Sequence, residues 1–523
     1  MRPIIKNTII FSVLTALIFG SFWIIYQFGV NVPHWDDHAV RVFVEHWNWG
    51  RFFDIFDFHN EHRIALTRIA ALKVNWLAGN LNFKYLMYLG QVGLLAVMAW
   101  FTFWVYRLEI NLWWLLIPGL FIFNTSTYEN SLWAMASVQN HWVIAWSLTA
   151  LFLLVFAIRE QGLKERIIFI LAILASLAAC FSSGNGILVF PVGVLILLFA
   201  GKGRLLGIWT LFFLIFLFFY FQNFERFGMT NRPHPQRFFI NLFNLTGSFV
   251  YPVLNKNITT KWPLLIGFLQ ILFTLRVFLK VLFRRDNSLE VLSYIAFTGF
   301  ILGTMVLVAG ARSDYDVQVL LSSKYKIYSF LLFAVNTLYF FGKPKEGEVY
   351  GRKEGLFAVT TLLIFINTQV SHIDDVKNLK RERIAELVNL SNSENGSKVY
   401  SPQLPAFATM LDENKARVNR KITVEAKGQV DRIIFSSLVP DSSKDYYVWV
   451  KNENHEELVA LNPRHGFIGP QDHWEGALLL FNFPSGNYRI YLLEVSDNKA
   501  TLTDTDRSVF IQGKAYSNPQ KNW

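Results

Sequence analysis

Cysteine is nearly absent from this sequence, since Cys180 is the only one among its 523 residues. An intramolecular disulfide is therefore excluded, and so is a metal site built from several thiolates. No glycine-rich nucleotide-binding loop and no nucleic-acid motif is visible either, which argues against a nucleotide-sugar donor and a nucleic-acid partner. The tail beyond about position 370 lacks long apolar runs, whereas the preceding chain is full of them.

Apolar residues make up 53% of the chain and aromatic residues 16%, with 50 Phe. Runs approaching the roughly 20 residues needed to cross a bilayer recur through the first 370 positions. Hydropathy predicts a polytopic α-helical membrane protein with about eleven spans. The predicted spans are 9–30, 86–106, 112–123, 138–158, 167–181, 187–200, 205–221, 263–283, 291–308, 327–341 and 356–366.

The net charge of +11 is carried largely by Lys and Arg in every second connection between these spans. Basic loops face the cytoplasm, so the amino terminus is predicted inside, with segment 9–30 as a retained signal anchor. The opposite loops, and everything after about 367, are then outside, whereas an even number of spans would place the tail inside. These longer loops are 31–85, 124–137, 222–261 and 310–326.

The tail changes to short alternating segments after a polar helical stretch at 371–389. Alternation and the turn before Asn487 predict an extracytoplasmic β-sandwich. Three parts follow: a membrane domain at 1–370, a helical connector at 371–398 and a β-rich domain at 399–523. The predicted strands are 432–436, 446–450, 478–482, 487–495 and 508–512.

Ionisable residues gather in the first outer loop, where five of the 11 histidines lie between His34 and His62. A charged cluster at a membrane interface indicates a functional site, because such side chains are costly there unless they face water or partners. Asp36 and Asp37 directly follow the first span, where a carboxylate suits general-base catalysis. The alternative is that this pair caps the next helix.

A second group in this loop contains His59, Glu61, His62 and Arg63. Its histidines are three apart, whereas the helical zinc motif spaces them four apart, so zinc is disfavoured. Arg63 oriented by Glu61 could bind a phosphate, and an interfacial salt-bridge network is the alternative.

Lys and Arg are usually concentrated in cytoplasmic loops. The other predicted outer loops nevertheless carry several, including Arg232, Arg312 and Lys324. Such cations favour an anionic ligand, although snorkelling side chains explain them as well. Glu129 lies near Trp133, and an aromatic ring beside a carboxylate suits a sugar as well as interfacial packing. Asn185 lies in a glycine-rich turn predicted on the same face.

The signal-anchor helix, the Asp-Asp pair, the many spans and the outer β domain together resemble the GT-C membrane glycosyltransferases. Residues 34–38, 59–63 and 183–186 carry the resemblance. It implies a polyprenyl-phosphate-linked sugar donor and a glycan acceptor at the outer face of the bacterial cytoplasmic membrane. Enzymes that modify O-antigen or other envelope glycans, such as the serotype-converting glucosyltransferases, look most similar in layout.

The resemblance also implies residue roles. Asp36 or Asp37 would take the acceptor proton, with Glu61 also catalytic, and cations would stabilise the departing phosphate. The residues identify no particular cofactor, and a divalent ion such as Mg²⁺ or Mn²⁺, which some relatives use, remains open. A flippase for lipid-linked sugars and an envelope-glycan polymerase or ligase remain alternatives. The implied phosphate-binding residues are Arg63, Arg232, Arg312 and Lys324, and the implied substrate contacts are His59, Asn60, His62, Glu129 and Asn185.

Overall fold

The computed structural model describes residues 3–224, 235–251, 261–284, 286–313, 317–342, 352–392, 424–429, 432–438, 441, 443–463, 473–480, 483–496 and 499–513. Most of this chain is helical, and an antiparallel sheet follows at its carboxyl end. The helices are α1 (Pro3–Phe28), α2 (Asp37–His46), α3 (Ala65–Ala78), α4 (Phe83–Arg107), α5 (Leu116–Ile122), α6 (Tyr128–Leu132), α7 (Ala134–Ala157), α8 (Gly162–Ser182), α9 (Val189–Phe199), α10 (Gly203–Tyr220), α11 (Pro235–Gly247), α12 (Lys261–Arg284), α13 (Leu289–Ala311), α14 (Val317–Leu320), α15 (Ser323–Phe341), α16 (Arg352–Ser371) and α17 (Ile373–Asn392).

Eight stretches of the described chain are long and apolar enough to cross a membrane. Every predicted span overlaps a helix. Three of the eleven predicted segments, however, are shorter or less apolar than these eight stretches. Segment 112–123 is a 3₁₀ turn followed by the seven-residue α5, and α9 has 11 residues. Helix α15 is less apolar because Lys324 and Lys326 lie in its first turn. The eight stretches are Ile5–Phe28, Phe83–Arg107, Ala134–Ala157, Gly162–Ser182, Gly203–Tyr220, Lys261–Phe283, Leu289–Ala311 and Gly355–Ser391.

Helices α7 and α13 are the most deeply buried of these stretches, and α7 packs against α4 and α8. Small residues permit the close approach of α4 to α7, as in many membrane helix pairs. A Cβ atom at Gly90 would lie only 2.0 Å from Ser137 Oγ. Gly90 therefore sets the distance between α4 and α7, the helix that begins beside the ionisable cluster.

The connections between helices sort to two ends of the bundle. At one end, Lys6 Nζ donates to Asn111 Oδ1 over 2.6 Å, and the Arg159 guanidinium donates to the carbonyl of Asn287. At the other end, the first long loop meets residues near Glu129, Asn185 and Lys324. In each case the contacts join segments that were predicted on one side, and the sidedness of the loops stays a prediction.

The carboxyl-terminal region forms one seven-stranded antiparallel sheet in the part of the chain that the structure describes. The strand order is β3-β4-β7-β6-β5-β8-β9, and β6 pairs with both β5 and β7. The predicted sandwich therefore holds only in its coarser form, an antiparallel β domain. Two residue pairs form a separate hairpin earlier in the chain. The strands are β1 (Phe58–His59), β2 (His62–Arg63), β3 (Val424–Gly428), β4 (Arg432–Leu438), β5 (Asp445–Lys451), β6 (Glu456–Pro463), β7 (His473–Leu479), β8 (Gly486–Ser496) and β9 (Lys499–Ile511).

Helix α17 joins the sheet to the membrane bundle. Its residues Ala385 and Val388 pack on the outer face of β5, β6, β8 and β9. Val376 and Leu379 pack into a second cluster that contains Val30 from the end of the first membrane segment. The segment predicted as a connector is therefore a shared structural element of both parts.

Candidate functional site

Asp36 and Asp37 differ sharply in their surroundings, although they are neighbours. The Asp37 carboxylate accepts hydrogen bonds from the backbone N–H groups of Met135, at 2.7 Å, and His34, at 3.1 Å. Asp37 is only 1% exposed, and this burial raises the pKa of its carboxyl group well above the usual value. Asp37 therefore ties the first loop to the start of α7, a structural role close to the capping alternative. The catalytic prediction for it gains no support.

The Asp36 side chain is 25% exposed and lies 3.9 Å from His59 Nε2. It retains access to solvent, which a group that exchanges protons with a substrate requires. Of the predicted Asp pair, Asp36 is thus the member placed to act as a base.

The residue before this pair, Trp35, has a backbone φ of 46°, in the left-handed region. A bulky residue in this conformation costs on the order of 1–3 kcal/mol and is typical of functional sites. The Trp35 side chain is 59% exposed, and its ring lies edge-on to His34. This conformation presents an aromatic ring directly beside Asp36.

The β1–β2 hairpin carries the second predicted group of residues. His59 pairs with His62 across it, and Asn60 in the turn has a φ of 52°. The His62 ring packs against the glycine turn after α8, where a Cβ atom on Gly184 would lie 2.3 Å from Nδ1. Burial lowers the pKa of His62, against the opposing fields of Glu61 and Asp36. The hairpin and the glycine turn, distant in sequence, therefore form one cluster.

Replacing Gly184 with alanine is expected to push His62 aside and to lower activity of this site about 10-fold, because overpacking of this kind costs roughly 1–3 kcal/mol. The Gly207→Ala variant is the matched control, since a Cβ atom at Gly207 meets nothing within 4 Å. Both variants would be compared by thermal unfolding and by an assay of the activity of this site. Equal activity of the Gly184 variant and wild type would show that the position of His62 is unimportant.

Arg63 was predicted to bind phosphate, but its guanidinium is directed elsewhere. It donates to the backbone carbonyls of Tyr220, at 2.8 Å, Gln222, at 2.7 Å, and Phe56. It also lies over the Phe58 ring at 4.0 Å. These contacts hold the hairpin against α10, so Arg63 stabilises the site's framework and its phosphate role gains no support.

Amide side chains connect α6, α7 and the glycine turn with α13 and α15. Asn140 donates to Asn130 over 2.9 Å, and Asn130 donates to the Lys324 carbonyl over 2.8 Å. The predicted substrate residue Asn185 donates to Thr304, at 3.2 Å, and to Tyr328, at 3.0 Å. Asn185 thus fastens the glycine turn to α13 and α15.

Glu129 lies at the amino end of α15, where its carboxylate accepts from the Ser323 hydroxyl at 2.7 Å and the Lys324 N–H at 3.1 Å. A carboxylate at a helix amino terminus is stabilised by the helix dipole. Glu129 also lines a polar cavity of about 410 Å³.

This cavity lies between the helical bundle and α17. Its walls combine aromatic rings, carboxylates and cations, a composition that suits polyhydroxylated ligands, because their apolar faces stack while their hydroxyls hydrogen-bond. The predicted residues Glu129 and Lys324 lie on its wall, and Asp36 follows the wall residue Trp35. The lining residues are His34, Trp35, Tyr128, Glu129, Trp133, Lys324, Asp375, Asn378, Leu379, Glu382 and Arg383.

The remaining predicted cations differ in their positions. Arg312 ends α13 near enough to His62 to influence its charge, so it belongs to the hairpin cluster. Arg232 lies outside the described residues. The phosphate role of these cations stays a prediction.

Five cavity residues come from α17, which sequence reasoning treated as a connector: Asp375, Asn378, Leu379, Glu382 and Arg383. Arg383 is 3% exposed and binds Glu386 at 3.0 Å, and Glu386 contacts His34 Nδ1 at 2.7 Å. Acidic residues recur every few positions along this amphipathic helix. The same pattern is typical of an ordinary solvent-exposed helix face, so the sequence did not indicate that α17 contributes to the cavity.

Arg381 clamps α17 to the sheet. It donates to Asn462 Oδ1, at 3.1 Å, and Asp445 Oδ1, at 3.0 Å, and it lies over the Trp474 ring. Replacing Arg381 with methionine is expected to destabilise this junction by about 1.5–3 kcal/mol, since buried charged hydrogen bonds are lost. Differential scanning fluorimetry would show a lower unfolding temperature than for Lys377→Met, which removes an exposed cation from the same helix. Equal unfolding temperatures would refute the clamp.

No three of the described His, Cys, Asp and Glu side chains are grouped so that they could hold a metal ion. The zinc interpretation of His59 and His62 gains no support from this geometry. Use of a divalent cation such as Mg²⁺ or Mn²⁺ stays a prediction.

No family model, curated protein or solved structure matches the chain. The relation to GT-C enzymes therefore remains a resemblance, and function is argued from the geometry of the cavity and of the adjacent cluster.

Proposed function

We propose that this protein is a glycosyltransferase that moves a sugar, such as a glucosyl group, from a polyprenyl-phosphate donor to a cell-envelope glycan such as O-antigen. The observation that carries the proposal is the polar cavity lined by Trp35, Tyr128, Trp133 and several carboxylates at the loop end of a membrane bundle. Aromatic and acidic side chains serve the sugar, and the bilayer supplies the lipid-linked donor.

In the proposed step, an acceptor hydroxyl attacks the anomeric carbon of the donor sugar. A carbon–oxygen bond forms there, while the bond from that carbon to the phosphate oxygen breaks and its electron pair leaves with the lipid phosphate. Asp36 takes the hydroxyl proton, since an incoming hydroxyl needs a base within hydrogen-bonding reach. Arg312 and Lys324 stabilise the charge that develops on the phosphate.

Asp36 is preferred over Asp37 as the base because both oxygens of Asp37 already accept backbone N–H groups. Lys324 supports the phosphate role better than Arg63, because Lys324 lines the cavity whereas Arg63 is engaged by backbone carbonyls. Glu61 and His62 complete the hairpin side of the site.

The positive-inside rule supports catalysis at the outer face of a bacterial cytoplasmic membrane, with the β domain outside. A donor carried on a lipid suits this location, since the proposal requires no soluble nucleotide. The β domain would then stand between the membrane and the glycan acceptor.

Mass spectrometry of the envelope glycan with and without the protein tests the proposal. We expect a gain of one hexose per repeating unit when the protein is present. Altered chain length without added hexose would indicate a polymerase. Vesicles containing the purified protein and a labelled polyprenyl-phosphate hexose separate transfer from transport, because movement of label across the bilayer without loss from the lipid would indicate a flippase.

A further inference from the structure

A buried chain of three ionisable side chains ends at the cavity wall. Lys326 Nζ lies 3.0 Å from His372 Nε2, and His372 Nδ1 lies 2.7 Å from Asp375 Oδ2. Lys326 is 2% exposed, and the side chains of His372 and Asp375 are 5% and 10% exposed. Asp375 alone of the three lines the cavity.

The direction of each hydrogen bond follows from the groups involved. A lysine ammonium only donates, so Lys326 donates to His372 Nε2. The proton on the His372 ring is then on Nδ1, which donates to the Asp375 carboxylate. The Asp375 carboxylate also lies on the cavity wall, and carboxylate oxygens accept hydrogen bonds. A ligand that meets Asp375 in the cavity must therefore offer hydrogen-bond donors.

Aromatic side chains surround this carboxylate. The Tyr128 ring lies 5.9 Å from the His372 ring, and Tyr128, Trp35 and Trp133 share the cavity with Asp375. An aromatic face that stacks on C–H groups, beside a fixed acceptor for hydroxyls, is complementary to a pyranose ring. The same arrangement offers less to a flat apolar ligand, which would cover the polar groups of this wall without hydrogen-bonding to them.

We propose that Asp375 binds hydroxyl groups of the sugar in this cavity, and that His372 and Lys326 are positioning residues that fix its carboxylate. This inference rests on the proposed function for the identity of the ligand class, and it adds the residues of a sugar subsite on α17.

The position of His372 explains how the chain orients Asp375. His372 lies between the end of α16 at Ser371 and the start of α17 at Ile373. Its contact with Lys326 ties this junction to the first turn of α15. Loss of Lys326 or His372 would therefore remove a contact that orients the Asp375 carboxylate.

Saturation-transfer NMR with the full-length protein in nanodiscs tests the subsite directly. The probes are the methyl α-glycosides of glucose, galactose and mannose. We expect saturation transfer from wild type to at least one of them, and a signal at least about 10-fold weaker for Asp375→Asn, because a hydrogen bond to a charged group is lost. Asp374→Asn is the matched control, since Asp374 is the neighbouring carboxylate and does not line the cavity.

Two outcomes would overturn the inference: no glycoside binding by wild type, or equal binding by the Asp375→Asn variant. Binding that depends on Asp375, together with absence of sugar transfer in the vesicle assay, would refute the proposed function while leaving the sugar subsite intact. The two proposals are thus separated by independent measurements.

Kinetics distinguish positioning from a general structural role. Because Asp36 is the proposed base, Asp375→Asn and Lys326→Met should raise KM about 10-fold or more with a smaller effect on kcat. Asp375→Glu should restore part of the lost affinity. An unchanged KM with a reduced kcat in both variants would contradict the assignment, as would equal loss in the Asp374→Asn control.

Discussion

Replacing Asp36 with asparagine is expected to lower the rate of sugar transfer by about 100-fold or more, the usual contribution of a general base. The asparagine side chain has nearly the same size, so the loop and its contact with His59 should keep their shape. Only the ability to accept a proton is lost. The vesicle assay with a labelled polyprenyl-phosphate hexose measures the effect on kcat at saturating donor.

The matched control for this experiment is Asp54→Asn. Asp54 belongs to the same loop, but its carboxylate pairs with the surface residue Arg51 at 2.6 Å. We expect this control to retain nearly all activity. If both variants transferred sugar at the wild-type rate and were present at wild-type levels, Asp36 would not be the base.

Replacing Asp37 with alanine is expected to destabilise the protein more than any other change proposed for this loop. The backbone N–H groups of His34 and Met135 would both lose their acceptor in a buried place. Each unsatisfied N–H costs about 1–3 kcal/mol. Differential scanning fluorimetry in detergent should show a clearly lower unfolding temperature, and a value equal to that of wild type would contradict the structural role.

The pH dependence of stability gives a second test of Asp37. Burial raises its pKa in the folded state, so the folded protein binds the proton more tightly than the unfolded chain. The contribution of this proton to stability is full below the unfolded pKa, near 3.9, and is lost as pH rises through the raised folded value. Asp37→Asn should lack this component. Identical pH profiles for the two proteins would exclude an effect of Asp37 titration.

Hydropathy located the membrane helices well because a bilayer requires long apolar segments with internal hydrogen bonds. It could not predict that α5 and α9 have only seven and 11 residues, since short and long helices can be equally apolar. Alternation found β4, β5, β8 and the end of β9, and it missed β3 and β6. The predicted strand 478–482 overlaps β7 only at Leu478 and Leu479, and positions 481 and 482 lie outside the described residues. Strand β6 is largely buried on both faces because α17 covers one of them, so its sequence does not alternate.

The sequence predicted only part of the candidate site. Charge in the first loop identified Asp36 and the hairpin, because such residues are unusual beside a span. Composition did not distinguish the partly exposed Asp36 from the buried Asp37. It also could not show that the Arg63 guanidinium donates its hydrogen bonds to backbone carbonyls. The contribution of α17 depends on pairing across more than 300 residues, such as His34 with Glu386. Local patterns carry no information about such contacts.

The late position of α17 in the chain has a consequence for biosynthesis. A ribosome has to translate beyond Asn392 before the pocket receives its last wall, and through Ile511 before the sheet that supports this wall is complete. A partly inserted nascent chain therefore holds the first-loop carboxylates without an enclosed pocket beside them. The protein could therefore carry out the proposed reaction only after its membrane helices have been inserted.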